Sequence, residues 1–124
     1  MELALDWEGG PVQIGDIADK QKIPIRFLEQ LMLILKRGEL VVSTRGKKGG
    51  YALSKNPGKI TVLKIIEILD GPIELVNKKI KKLPVLYDAF EEIQDRICQD
   101  LTKLTLEDLV FRKRQKDQAY IYTI

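Results

Sequence analysis

Histidine is absent from these 124 residues, and cysteine occurs once, at Cys98. Without histidine, no Ser-His-Asp or Cys-His relay can be drawn within the chain. A single cysteine excludes an internal disulfide framework and fits a reducing, cytoplasmic setting. No apolar run approaches the roughly 18 residues a membrane span needs, and no signal-peptide pattern follows Met1. The glycine-rich stretch in mid-chain lacks the G-x-x-x-x-G-K-S/T order of a phosphate-cradling loop. Carboxylates are scattered along amphipathic segments and read as solvated faces. The expectation is therefore no catalytic residues, no metal site, no cofactor and no membrane association.

Net charge is also small, at +3, but its distribution is uneven. Between Lys36 and Lys59 lie seven cations (Lys36, Arg37, Arg45, Lys47, Lys48, Lys55, Lys59) and one acid, Glu39. A basic patch on a nearly neutral chain points to a localised polyanion contact. The length suits one domain with an appended helix, and a hydrophobic fraction of 44% can supply one core.

Met1 to Trp7 reads as a short helix carrying Leu3, Leu5 and Trp7, broken by Glu8-Gly9-Gly10-Pro11. Ile14, Ile17 and Ala18 then share a helical face in a segment ending at Gln21. Pro24 disfavours helix at Ile23 and opens the next one, which runs to Arg37. There Phe27, Leu28, Leu31, Met32, Ile34 and Leu35 form a broad apolar face. Arg26, Glu29, Gln30, Leu33 and Arg37 fall opposite. Gly38 suits a left-handed helix stop. Leu40 and Val42, then Tyr51 and Leu53, flank a basic glycine-rich tip that includes Lys47 and Lys48, which reads as a β-hairpin. A helix pair followed by a basic hairpin is the organisation of a winged helix. In that arrangement the second helix enters the major groove and the hairpin reaches phosphates or the minor groove.

Thr61 can cap a helix through Leu69, with Val62, Ile65, Ile66 and Leu69 inward, and Asp70-Gly71-Pro72 ends it. From Ile73 to Leu83 the sequence is lysine-rich and aperiodic, as a linker would be. Pro84 opens the longest helix, running to about Thr102, with a stripe of Leu86, Phe90, Ile93, Ile97 and Leu101, extended by Leu104. Asp88, Glu92, Asp95 and Asp100 lie opposite. Such a stripe needs a partner, and a symmetry-related copy is the economical one; folding back on its own domain is the alternative. Thr105-Leu106-Glu107-Asp108 resembles the capped start of a short last helix.

The expected fold is mainly α with a small β-hairpin: a winged helix-turn-helix plus a long C-terminal dimerisation helix. The expected units are 1–72 for DNA binding, 73–83 as linker, 84–110 for the dimerisation helix and the short helix after it, and 111–124 as a basic tail.

Phe27-Leu28-Glu29-Gln30-Leu31, Leu40-Val41-Val42-Ser43-Thr44-Arg45-Gly46, Gly49-Gly50-Tyr51 and Leu69-Asp70-Gly71-Pro72 resemble the IscR/NsrR/CymR regulators, the Rrf-two family. The late Leu104-Thr105-Leu106-Glu107-Asp108-Leu109 matches as well, so the resemblance covers nearly the whole chain. It implies a homodimeric bacterial regulator of double-stranded DNA, a repressor or an activator, with a pseudo-palindromic operator. It places Glu29 and Gln30 toward bases, and Ser43, Arg45 and Gly46 in the wing at the DNA. The chemistry agrees: Gln bonds adenine bidentately, Glu accepts from cytosine N4, and Arg suits a narrow minor groove.

Two departures from the family pattern matter. Many members hold a two-iron, two-sulfur cluster on three linker cysteines, and 73–83 has none. Cys98 reads as a small buried residue, with a thiol pair at a dimer axis or a redox sensor as the minor case. The chain thus resembles the cluster-free branch, regulated by a small effector or a partner protein. Family members also begin further upstream with a segment touching the DNA backbone. A mobile first turn and weaker DNA affinity than an extended form are the resulting expectations. The alternative function is a winged-helix protein-interaction module, or a heterodimerising partner with weakened DNA binding.

Overall fold

Ile17 and Ala18 from one helix and Leu28 and Met32 from the next are buried together, and the rest of the chain closes around them. The computed structural model describes residues 1–76 and 78–123. Its elements are α1 (Glu2–Leu5), α2 (Ile14–Gln21), α3 (Ile25–Arg37), β1 (Val41–Thr44), β2 (Gly50–Leu53), α4 (Val62–Asp70), α5 (Pro84–Lys103) and α6 (Leu106–Thr123). A 3-10 turn at Pro57–Lys59 leads into α4, and another at Lys78–Lys82 precedes α5. The expected class, helical with a two-stranded antiparallel hairpin behind a helix pair, is the one observed.

The helix pair turns tightly for local reasons. Lys22 takes a left-handed φ of 55° at the end of α2, and Ile23 N–H donates to the Ala18 carbonyl at 3.0 Å. Pro24 then occupies the N-cap of α3 in extended backbone, since its ring removes an N–H that a helix start leaves unpaired anyway.

At the far end of α3 the expectation for Gly38 is corrected. Gly38 has φ −78°, and the left-handed residue is Glu39 at φ 62°. Leu40 N–H reaches the Leu35 carbonyl and Glu39 N–H the Lys36 carbonyl, each at 3.0 Å, which is the Schellman pattern of helix closure. Glycine is needed at 38 for space instead: Ile68 of α4 lies against its Cα.

The hairpin pairs Val41 with Leu53 and Ser43 with Tyr51. Leu53 is inward as expected and Leu40 is buried, but in β1 it is Val41 and not Val42 that points into the core, Val42 being 47% exposed. Val12 adds a bridge to Tyr51 through two backbone hydrogen bonds of 2.8 Å each.

Leu40, Ile60, Leu106 and Val110 complete the core with Leu3 and Ala4 of α1; Ile60 is only 1% exposed. Val62 N–H donates to the Leu104 carbonyl and Leu106 N–H to the Ile60 carbonyl, pinning the start of α6 beside the start of α4. A reciprocal cap fixes that start: Thr105 Oγ1 accepts from the Asp108 N–H at 3.2 Å, and Asp108 Oδ2 accepts from the Thr105 N–H at 2.9 Å. The backbone N–H of Thr105, and then its hydroxyl, hold the Asp108 carboxyl below the ordinary carboxylate range. The last helix is longer than expected. It continues through the basic segment to Thr123, and it packs on α1 and the Pro57–Lys59 turn.

α4 is capped by the Thr61 hydroxyl, which accepts from Lys64 N–H at 3.2 Å. Its packing differs slightly from expectation: Ile65 and Ile68 pack against the core, while Leu69 is 36% exposed. α4 lies on α3, and α5 lies on α4.

Candidate nucleic-acid interface

α3 carries Leu28 and Met32 on its buried side, one turn apart, and this pair orients everything else on the helix. Arg26, Glu29, Gln30 and Arg37 are all exposed, as are Ile25, Phe27 and Leu33. Phe27 and Ile34, expected inward, face solvent instead. The buried stripe is narrower than the apolar composition of the helix, because the core contacts only Leu28, Met32 and the half-buried Leu35.

The wing places Ser43, Arg45, Gly46, Lys47 and Lys48 in solvent. Arg45, Lys47 and Lys48 make no ion pair among the described residues, so their charges are free to neutralise phosphates. The two glycines before Tyr51 have distinct steric causes. A Cβ on Gly49 would collide with the Thr44 carbonyl, and one on Gly50, at φ 150°, with the Val12 carbonyl. The tip is therefore drawn tight against the segment entering α2.

Gln13, which was not expected at the site, and Lys36, expected only as one cation of the basic patch, join the wing to the helix pair. Lys36 Nζ donates to Ser43 Oγ at 2.7 Å. Gln13 Nε2, from the N-cap position of α2, donates to the Lys47 carbonyl at 3.2 Å. No periodicity marks either residue, because each contact depends on how the hairpin folds back on the helices.

The stripe on α5 divides between two environments. Phe90, Ile97 and Leu101 are half-buried, whereas Leu86 and Ile93 are 43% and 42% exposed. Val85 is 85% exposed beside them. Cys98 is half-buried on the same helix. An iron–sulfur cluster needs about four soft ligands. The chain has one cysteine and no histidine, and the described residues hold no group of three or more His, Cys, Asp or Glu able to bind a metal. These residues do not fit such a group. No described helix is long and apolar enough to cross a membrane.

A family model described as "Rrf2: Iron-dependent Transcriptional regulator" matches residues 1–112. The chain is 35% identical to the HTH-type transcriptional regulator CymR of Bacillus subtilis over 124 residues, covering 100% of this chain and 90% of that protein. Among solved structures, the CymR (YrzC) global cysteine regulator of B. subtilis superposes with a TM-score of 0.77 at 34% identity, covering 90% of this chain and 86% of that one. The IscR of T. potens gives a TM-score of 0.79 at 32% identity, with 98% and 85% covered. The matched proteins are transcriptional regulators and not enzymes.

Proposed function

The chain belongs to the Rrf2 family of transcriptional regulators, and from that premise we propose that it is a homodimeric, sequence-specific DNA-binding repressor that works without an iron–sulfur cluster. One observation carries the reading. The exposed polar residues of α3 and the unpaired cations of the wing belong to elements joined directly by the Lys36–Ser43 hydrogen bond. A major-groove helix and a backbone-gripping hairpin must move as one body to impose a single register on DNA.

In this reading Glu29 and Gln30 face base edges. Arg26, Arg37, Lys47 and Lys48 neutralise phosphates, and Ser43, Arg45 and Gly46 lie at the minor groove. The second copy is assigned to α5, where Val85, Leu86 and Ile93 present apolar surface that the protomer leaves uncovered. The half-buried Phe90, Ile97 and Leu101 continue that stripe along α5. Residues 1–72 form the DNA-binding unit, 73–83 the linker, 84–110 the dimerisation helix and the start of α6, and 111–124 a basic helical extension; α6 packs its Leu106 and Val110 into the core beside α1. Two-fold pairing makes the operator a pseudo-palindrome with half-sites about 34–36 Å apart, or a multiple of that. A small effector has room in an apolar cavity of about 470 Å³ behind α3, lined by Leu28, Leu31, Met32, Leu35 and Ile65. The working compartment is the cytoplasm.

Selection of bound sequences from a random DNA pool tests the reading. Enrichment of a two-fold-related consensus supports it. The apolar exposure of Ile25, Phe27 and Leu33 on α3 favours a second reading, a protein-interaction module, which failure to enrich any sequence would select.

A further inference from the structure

Lys36 occupies the last turn of α3, and its ammonium is directed at Ser43 rather than left in open solvent. A serine oxygen that accepts from an ammonium turns its own proton elsewhere, because a hydroxyl has one donor and two acceptor positions. Ser43 is exposed, so that proton is available to a group that lies against the wing. At the other end of the wing, Gln13 holds the Lys47 carbonyl, two residues from the tip glycine Gly49, whose N–H closes the turn on the Gly46 carbonyl at 3.0 Å. Between these two ties, Val12 and Tyr51 exchange their backbone hydrogen bonds. The wing is thus fastened to α3 at its base and to the start of α2 at its tip.

We propose that Lys36 and Gln13 are positioning residues that set the angle between wing and recognition helix, and that Lys36 orients the Ser43 hydroxyl as a donor to a DNA backbone oxygen. This rests on the DNA-binding reading above. It makes Lys36 different from the other cations of the patch. Lys47 and Lys48 act on phosphates through charge and are interchangeable to first order, whereas Lys36 acts through one side chain that must be where it is.

The test begins with the unaltered protein and a site selected from random DNA. If nothing is enriched, the DNA-binding reading fails and this proposal falls with it. On the selected site, Lys36→Met, Ser43→Ala and the double variant are titrated at two salt concentrations, with random DNA alongside. Each single variant is expected to weaken the selected site about five- to tenfold, and the double variant no further. Random DNA should be almost unaffected. Additive losses that are equal on both DNAs, with a salt slope shallower by about one, would make Lys36 an ordinary phosphate contact and overturn the proposal. For Gln13→Ala, faster hydrogen exchange at the Gly49 amide is expected in the DNA-free protein. Unchanged exchange there removes Gln13 from the positioning set.

Discussion

A Cβ built on Gly38 would lie 2.7 Å from both Cδ1 and Cγ2 of Ile68, so the end of α3 and α4 touch through a glycine that has no room for a methyl group. The residue beside it, Glu39, carries the left-handed backbone that glycine normally supplies. These two positions should respond in opposite directions. Gly38→Ala is expected to destabilise by about 1–3 kcal/mol through overpacking. Glu39→Gly is expected to stabilise by about 0.5–1 kcal/mol by relieving the left-handed strain. Denaturant unfolding at fixed protein concentration measures both. Equal effects at the two sites would contradict this division of roles.

The same pair shows what the sequence disclosed and what it withheld. The presence of a stop after Arg37 was legible, because a glycine follows an apolar-periodic run. Which residue takes the positive φ was not, since that depends on Ile68, thirty residues away. Helix boundaries around Pro24 and Thr61 were readable from local chemistry. The register of β1 was not: Leu40, Val41 and Val42 are all apolar, and only packing against Leu53 selects Val41 as the inward residue. Phe27 and Ile34 looked like core because apolar side chains cover most of α3, a signal too broad to identify the narrow face that packs. The charged side chains of the candidate interface were visible in advance. The ties that Lys36 and Gln13 make to the wing were not, because hydrogen bonds across 7 and 34 positions leave no pattern in one sequence.

The Thr105–Asp108 cap gives the fold an acid-sensitive point. The folded-state carboxyl of Asp108 is held below its unfolded value of about 3.9 by the Thr105 N–H and hydroxyl. A depressed carboxylate contributes stability above the unfolded pKa and loses it as pH falls through the folded one. Asp108→Asn keeps an acceptor for the Thr105 N–H but cannot titrate. Its stability should therefore fall less steeply than that of the unaltered chain on acidification below about pH 4. Thermal unfolding at stepped pH reads the slope, and parallel curves would refute the linkage.

Base reading and backbone binding separate by salt and by sequence. Gln30→Ala should cost about 1–3 kcal/mol on the selected site and little on random DNA. Lys47→Ala should weaken both alike and reduce the salt slope by about one unit. Competition binding at two ionic strengths distinguishes them. A Gln30→Ala loss that is equal on both DNAs would make that residue a positioner rather than a reader.

Iron content tests the cluster-free assignment. Protein purified without oxygen should be colourless, with iron and acid-labile sulfide far below one per chain, because one cysteine and no histidine cannot complete the roughly four soft ligands required. Treatment with a chelator should then leave DNA affinity unchanged. Stoichiometric iron with a visible charge-transfer band would overturn the assignment.

The α5 seam is tested most cleanly at Ile93. In the protomer this side chain is 42% exposed, so a charge placed there meets water and leaves the fold intact. In a two-fold seam the same charge would be buried without a partner, at a cost of several kcal/mol for each copy. Ile93→Asp should therefore sediment as a folded monomer at concentrations where the unaltered chain is dimeric. Its circular dichroism should be unchanged. Ile97→Asp serves as a contrast, since that half-buried residue should lose stability as well as association. Operator affinity should fall more steeply than random-DNA affinity in Ile93→Asp, because two half-sites are no longer read by one assembly. A dimer that survives Ile93→Asp would move the interface off this face of α5.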